Sequence, residues 1–198
     1  MKKMIYVLVI LFLSLTLFSC AKKSDTSSST TTTELEGVWK TSCYIDSDNL
    51  SYYITTISVT GTNLEIKDEI HSDSSCNTDD GILASNFSSL TIGEERNYSS
   101  GSTGHRFTMN LDSIKYTPET TASVISLLTD RTCGYGDWAL NTEKDVTGKT
   151  CGSVTMPVAN TTYLSMYKLV GNNFYLGTFG TTGSYPDGVS NAKAYIKL

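Results

Sequence analysis

From His105 to Tyr116 the chain alternates between apolar and polar residues. Phe107, Met109 and Leu111 fall on one face, and Arg106, Thr108, Asn110 and Asp112 on the other. A period of two sends successive side chains to opposite sides of a pleated strand, so the segment buries one face and wets the other. The same pattern recurs along the chain. Gly37 to Ile45 opens as a strand and runs into the turn Asp46-Ser47-Asp48-Asn49. In Tyr52 to Thr60, Tyr53, Ile57 and Val59 share a face; after Gly61-Thr62-Asn63, Leu64, Ile66 and Ile70 share another, which predicts an antiparallel hairpin. Ile82 to Gly93 reads as one or two further strands, with Phe87 and Leu90 out of phase. Tyr163 to Val170, a Gly171-Asn172-Asn173 turn and Phe174 to Phe179 form a second hairpin, and Ala194 to Leu198 a last short strand.

One segment breaks the period. Thr117-Pro118-Glu119 supplies a capping hydroxyl, a proline for the first helical position and an acid for the positive helix end, and Ala122, Ile125 and Leu128 follow three apart. This predicts one helix from Pro118 to about Thr129. Twelve tyrosines and abundant threonine suit half-buried pleated surfaces. The expected class is all-β and mainly antiparallel, a sandwich or a barrel, with a terminal strand able to pair with the first and remove both edges.

The first residues are of a different kind. Lys2 and Lys3 precede an apolar run from Met4 to Phe18, and Leu17-Phe18-Ser19-Cys20 reads as a lipobox. A basic start, an apolar stretch shorter than a membrane span and a small residue before the cut form a secretory signal. The expectation is a signal peptide over residues 1–19, a lipidated Cys20 heading a Ser/Thr-rich tether over 20–34, and a domain over 35–198. A coil of some thirteen residues would hold that domain on the order of 20 Å from the lipid surface. Two or three acyl chains on Cys20 anchor it durably, since each buried CH2 contributes about 0.8 kcal/mol. This places the protein in a bacterial cell envelope, at the outer membrane if the organism is diderm.

Export also bears on the other four cysteines, Cys43, Cys76, Cys133 and Cys151, an even set that reads as a disulfide framework. Of three connectivities, the local one joins Cys43 to Cys76 and Cys133 to Cys151. Zinc lacks its pattern: no Cys-x-x-Cys occurs, and His71 and His105 stand apart. Asp46 and Asp48 lack the glycine and distal glutamate of a calcium loop. No metal or cofactor is expected. The formal charge is −5, and removing the leader's two lysines makes it more negative, which argues against nucleic acid.

No catalytic pattern emerges. Neither histidine belongs to a nucleophile motif, and the acid pairs Asp68-Glu69, Asp79-Asp80 and Glu94-Glu95 are strand neighbours that face opposite ways. The glycine-containing turns are followed by strands, so no helix end receives a phosphate.

Leu35-Glu36-Gly37-Val38-Trp39 resembles the Gly-x-Trp opening of lipocalins and related calycin barrels, which implies that Trp39 closes a barrel base. Over Leu35 to Leu198, several landmarks follow in order. They are Gly37-Val38-Trp39 with Cys43, Ser72-Asp73-Ser74-Ser75-Cys76, Cys133-Gly134-Tyr135-Gly136-Asp137-Trp138, Lys144-Asp145-Val146-Thr147-Gly148 and Tyr175-Leu176-Gly177. This order is similar to a group of bacterial lipoproteins with lipocalin-like architecture. It is distantly similar to the extracellular lipid-binding domain of the adenomatosis-polyposis-coli-down-regulated protein. The resemblance implies a lipocalin-like β-barrel or half-barrel and a lipid-like ligand. The leading expectation is therefore a non-enzymatic, membrane-anchored binder of a small hydrophobic or amphipathic molecule. Its barrel interior would be partly open, with Trp39, Tyr53, Ile57, Phe107, Met109, Leu111 and Phe174 facing inward. A structural or adhesive surface module and an envelope enzyme are the competing readings.

Overall fold

The computed structural model describes residues 33–46, 51–98, 103–181, 183–190 and 193–198. Cys20, the leader and most of the tether lie outside the described residues. Among the described residues twelve strands and one helix follow in order: β1 (Gly37–Lys40), β2 (Tyr44–Asp46), β3 (Ser51–Thr60), β4 (Asn63–His71), β5 (Asp79–Asn97), β6 (Thr103–Pro118), α1 (Thr121–Thr129), β7 (Lys144–Asp145), β8 (Thr150–Cys151), β9 (Val154–Thr155), β10 (Thr162–Val170), β11 (Asn173–Leu176) and β12 (Ala194–Lys197). Eight of these, β1, β3, β4, β5, β6, β10, β11 and β12, form a closed antiparallel barrel in which neighbours in the sheet follow one another along the chain. Closure falls on β1, where Trp39 lies opposite Ile57 of β3 and Lys197 of β12. The terminal strands thus cover each other's unpaired edges.

Several sequence irregularities have a structural origin. The opening segment is two strands on one partner. β1 pairs with β3 in one register and β2 with it in another shifted by a residue. Between them Thr41 donates its backbone N–H to the Thr55 carbonyl at 3.0 Å, and its hydroxyl accepts the Thr55 N–H at 2.9 Å. The phase slip at Phe87 and Leu90 is a bulge: β5 shifts register against β6 between Ser88 and Thr91, with Ser89 at φ 57°. One extra residue on one strand turns the following side chains over. Both Phe87 and Leu90 are thereby buried within a single strand, β5.

The helix starts later than the sequence predicts. Pro118 remains in the β-ladder opposite Gly81, and the Glu119 N–H donates to the Asp80 carbonyl at 3.0 Å. The capping residue is therefore Thr120, not Thr117; its hydroxyl accepts the Ser123 N–H at 3.1 Å. His71 is only 4% exposed, with Nδ1 3.1 Å from Asp79 Oδ1.

Aromatic rings fill one region of the barrel. Trp39 packs on Phe174 at 5.5 Å between centroids, Phe174 on Tyr195 at 5.5 Å and on Tyr167 at 5.8 Å, and Tyr167 on Phe107 at 6.0 Å. Burying each such side chain contributes about 1.5–3 kcal/mol, with a further increment for ring geometry. Their polar tips are satisfied as well. Trp39 Nε1 donates to the Leu35 carbonyl at 2.8 Å, and the Tyr167 hydroxyl donates to the Glu34 carboxylate at 2.5 Å. Toward the start of β3 the inward face turns polar: Thr55 donates to Asp68 at 2.5 Å, and Lys193 donates to the Tyr44 hydroxyl at 3.0 Å while lying 4.1 Å from that ring's centroid. Both disulfides join the pairs expected from local spacing, Cys43 to Cys76 and Cys133 to Cys151.

Candidate functional site

The seven residues expected to line a binding cavity occupy two settings. Trp39, Ile57, Phe107, Met109, Leu111 and Phe174 are each at most 2% exposed and belong to one packed core. Tyr53 is half-buried and stacks on Tyr44 with centroids 5.9 Å apart. In the core the rings are neighbours of one another, so the barrel interior owes its order to packing.

A cleft of about 440 Å3 lies elsewhere, between α1, the far end of the β5–β6 hairpin and the segment that carries the second disulfide. Its size falls within the range of small-molecule sites. One wall is helical: Ala122, Ser123, Ser126 and Leu127 present a single face. Helical spacing puts residues four apart on the same side, which is why Ser123 and Leu127 are the helix's buried pair. Asp80 and Tyr116 form a second wall, and the third holds Val146, the Cys133–Cys151 bridge, Ser153, Val154 and Met156.

Each wall is held by identifiable contacts. Asp80 Oδ1 accepts from the Thr120 hydroxyl at 3.0 Å and lies within hydrogen-bond reach of Ser123 Oγ, which is also 2.7 Å from the Asp80 carbonyl. The start of α1 is thereby fixed to the start of β5. At the helix end the Arg131 N–H donates to the Ser126 carbonyl at 3.1 Å. Across the cleft, β7 pairs with β6 through Lys115 opposite Asp145 and Tyr116 opposite Lys144, and the Val146 N–H donates to the Ile114 carbonyl at 2.8 Å. Trp138 anchors the intervening loop, its Nε1 donating to the Thr132 carbonyl at 3.0 Å and its ring standing edge-on to Tyr116 at 6.1 Å. A Cβ at Gly81 would strike the Tyr116 hydroxyl, so only glycine leaves room for that phenol.

The electrostatics are uneven along the cleft. Burial, then the negative charge of Asp80, pushes the Tyr116 phenol up to about 12. It therefore stays protonated and able to donate at any physiological pH. Asp80 is half-buried and is the one lining carboxylate among the described residues; Arg131 is exposed on the rim. Among the described residues no carboxylate comes within ion-pair distance of Arg131. The arrangement can hold a small molecule against an apolar wall while offering hydroxyl donors and acceptors and one charge of each sign. Among those residues no group of three His, Cys, Asp or Glu is placed to hold a metal ion.

Sequence reasoning did not find this site. Its residues come from four separated stretches, and none forms a spaced motif. The one usable signal was Cys133 and Cys151 bracketing a polar loop, which marks a held segment but not a cavity.

The fold and cleft define an all-β protein, a closed eight-stranded antiparallel barrel that fits a lipocalin-like architecture and carries a helix-walled cleft at its side. No protein-family model matches the sequence, and no curated protein matches it.

Proposed function

We propose that this protein is a non-enzymatic binder of a small amphipathic molecule, tethered to a bacterial membrane through lipid on Cys20. The cleft beside α1 carries the reading. It joins an apolar wall of Leu127, Val146 and Met156 to the hydroxyls of Ser126, Ser153 and Tyr116. Small-ligand sites combine apolar linings with a few placed polar groups in this way. The ligand thus sits beside the barrel, and the aromatic interior serves as the rigid support. The leader and its Leu17-Phe18-Ser19-Cys20 sequence support the tether.

Two experiments test this. In the first, a dansyl-labelled short-chain fatty acid is titrated into the purified full chain. Saturable binding is expected, and Ser126→Trp should weaken it at least tenfold by filling the cleft with an indole. The exposed Thr129→Trp should leave it unchanged, and circular dichroism should show both variants folded. Equal binding by Ser126→Trp would move the site elsewhere, and no saturable binding of this or any other amphipathic probe would favour a surface module. In the second, Cys20→Ser should abolish fatty-acid labelling in cells and leave an uncleaved precursor. Labelling that persists would refute the tether.

A further inference from the structure

Resting on that reading of the cleft, we infer that its ligand is a short apolar peptide with both ends free, its ammonium held by Asp80 and its carboxylate by Arg131. Three observations converge on this class. The first is the pair of opposite charges at the two ends of α1. Asp80 is fixed to Ser123, and Arg131 follows two residues after the last helical residue, Thr129, so the helix between the two charges rises about 9 Å. An extended peptide of three residues spans about 10 Å, a length that matches this rise.

The second observation is that both charges retain unused capacity. The Thr120 and Ser123 hydroxyls engage Asp80 at Oδ1, and among the described residues the other carboxylate oxygen has no partner and Arg131 has no ion pair. A carboxylate accepts at both oxygens and a guanidinium donates through five N–H groups, so each end can take a charged terminus. A simple fatty acid would satisfy Arg131 and leave its tail against Asp80. A simple alkylamine would do the reverse.

The third is the middle of the cleft. The Tyr116 phenol and the Ser126 and Ser153 hydroxyls stand among Leu127, Val146 and Met156. A peptide bond needs partners for its N–H and C=O, which hydroxyls supply in either direction, whereas an alkyl chain offers those hydroxyls no partner. Apolar side chains then meet the aliphatic wall.

Trileucine and its blocked forms test this on the full chain by titration calorimetry. Free trileucine is expected to bind at least tenfold more tightly than the form acetylated at its amine and amidated at its acid, with each single block losing part of that difference. Arg131→Gln should erase the preference for a free carboxylate only. Asp80→Asn, which keeps the acceptor for Thr120, should erase the preference for a free amine only. Should Asp80→Asn fail to fold, the singly blocked peptides on the native chain carry that arm. Equal affinity for free and doubly blocked trileucine would overturn the peptide inference and leave the binding reading intact, as would binding of the dansyl fatty acid without trileucine. If neither probe binds, the binding reading falls and takes the inference with it.

Discussion

Replacing Trp39 with alanine is expected to cost about 3–5 kcal/mol of folding stability, the range for removing a large ring from a packed core. For a domain of this size that corresponds to a fall in Tm of about 6–20 °C. Three physical losses add together. The indole is 2% exposed and packs on Phe174, so its removal leaves a cavity in the aromatic cluster. Its Nε1 donates to the Leu35 carbonyl, which would be left buried without that donor. It also sits at the one place where the first and last strands meet, opposite Ile57 and Lys197. β1 and β12 each have only four residues, so few ladder bonds compensate. Trp39→Phe keeps a ring against Phe174 and should recover more than half of the loss. Thermal and urea unfolding followed by circular dichroism measure both variants. A loss below about 1 kcal/mol for Trp39→Ala would show that closure does not depend on this residue.

The part of the fold governed by period two was legible before the structure. Phe107, Met109 and Leu111 face the core as alternation requires, and so do Ile57, Val59 and Leu64. Barrel closure by the last strand followed from the cost of leaving two edges open. What failed was local. At Phe87 and Leu90 a bulge restores burial through backbone geometry at Ser89, which a count of alternating residues cannot register. At Thr117-Pro118 a good helix-start pattern lost to ladder pairing with Gly81, because a strand already held by its neighbour retains its last residues. Thr120, three residues on, offered the same capping chemistry. His71 shows a similar gap: β4 shifts register against β5 between Ile70 and His71, which periodicity along β4 cannot show.

The cleft was not legible for a further reason. Asp80 and Ser123 are 43 positions apart in sequence and meet because β5 and the helix start share a corner. By the period-two count Tyr116 falls with Arg106, Thr108, Asn110 and Asp112 on the polar face of its strand. Its value to the site comes from the absent side chain at Gly81 and from the charge of Asp80. Alternation locates a core, and the cleft is assembled beside that core largely by the segment between β6 and β10.

Removing the Cys133–Cys151 bridge should separate those two parts of the molecule. Closing a loop of 18 residues contributes about 3 kcal/mol in the chain-entropy treatment, so the Cys133→Ala and Cys151→Ala double variant is expected to unfold at lower temperature. The larger consequence is local, because both cysteines are buried in the cleft wall and the β8–β9 hairpin has only two residues per strand. Without the bridge, Ser153, Val154 and Met156 are held by that hairpin and by the bond from the Met156 N–H to the Lys149 carbonyl. Ligand affinity should fall at least tenfold while the barrel's circular dichroism below the transition stays unchanged. The Cys43→Ala and Cys76→Ala double variant is the internal comparison. It releases a loop of 33 residues, with a stability loss of nearly 4 kcal/mol by the same treatment, yet neither cysteine lines the cleft. Its affinity should match the native protein's at temperatures where both are folded. If the two variants lose affinity equally, binding tracks global stability and the cleft beside α1 is not the site. If only the Cys133–Cys151 variant loses it, the bridge's role is to shape the binding wall on a barrel that folds without it.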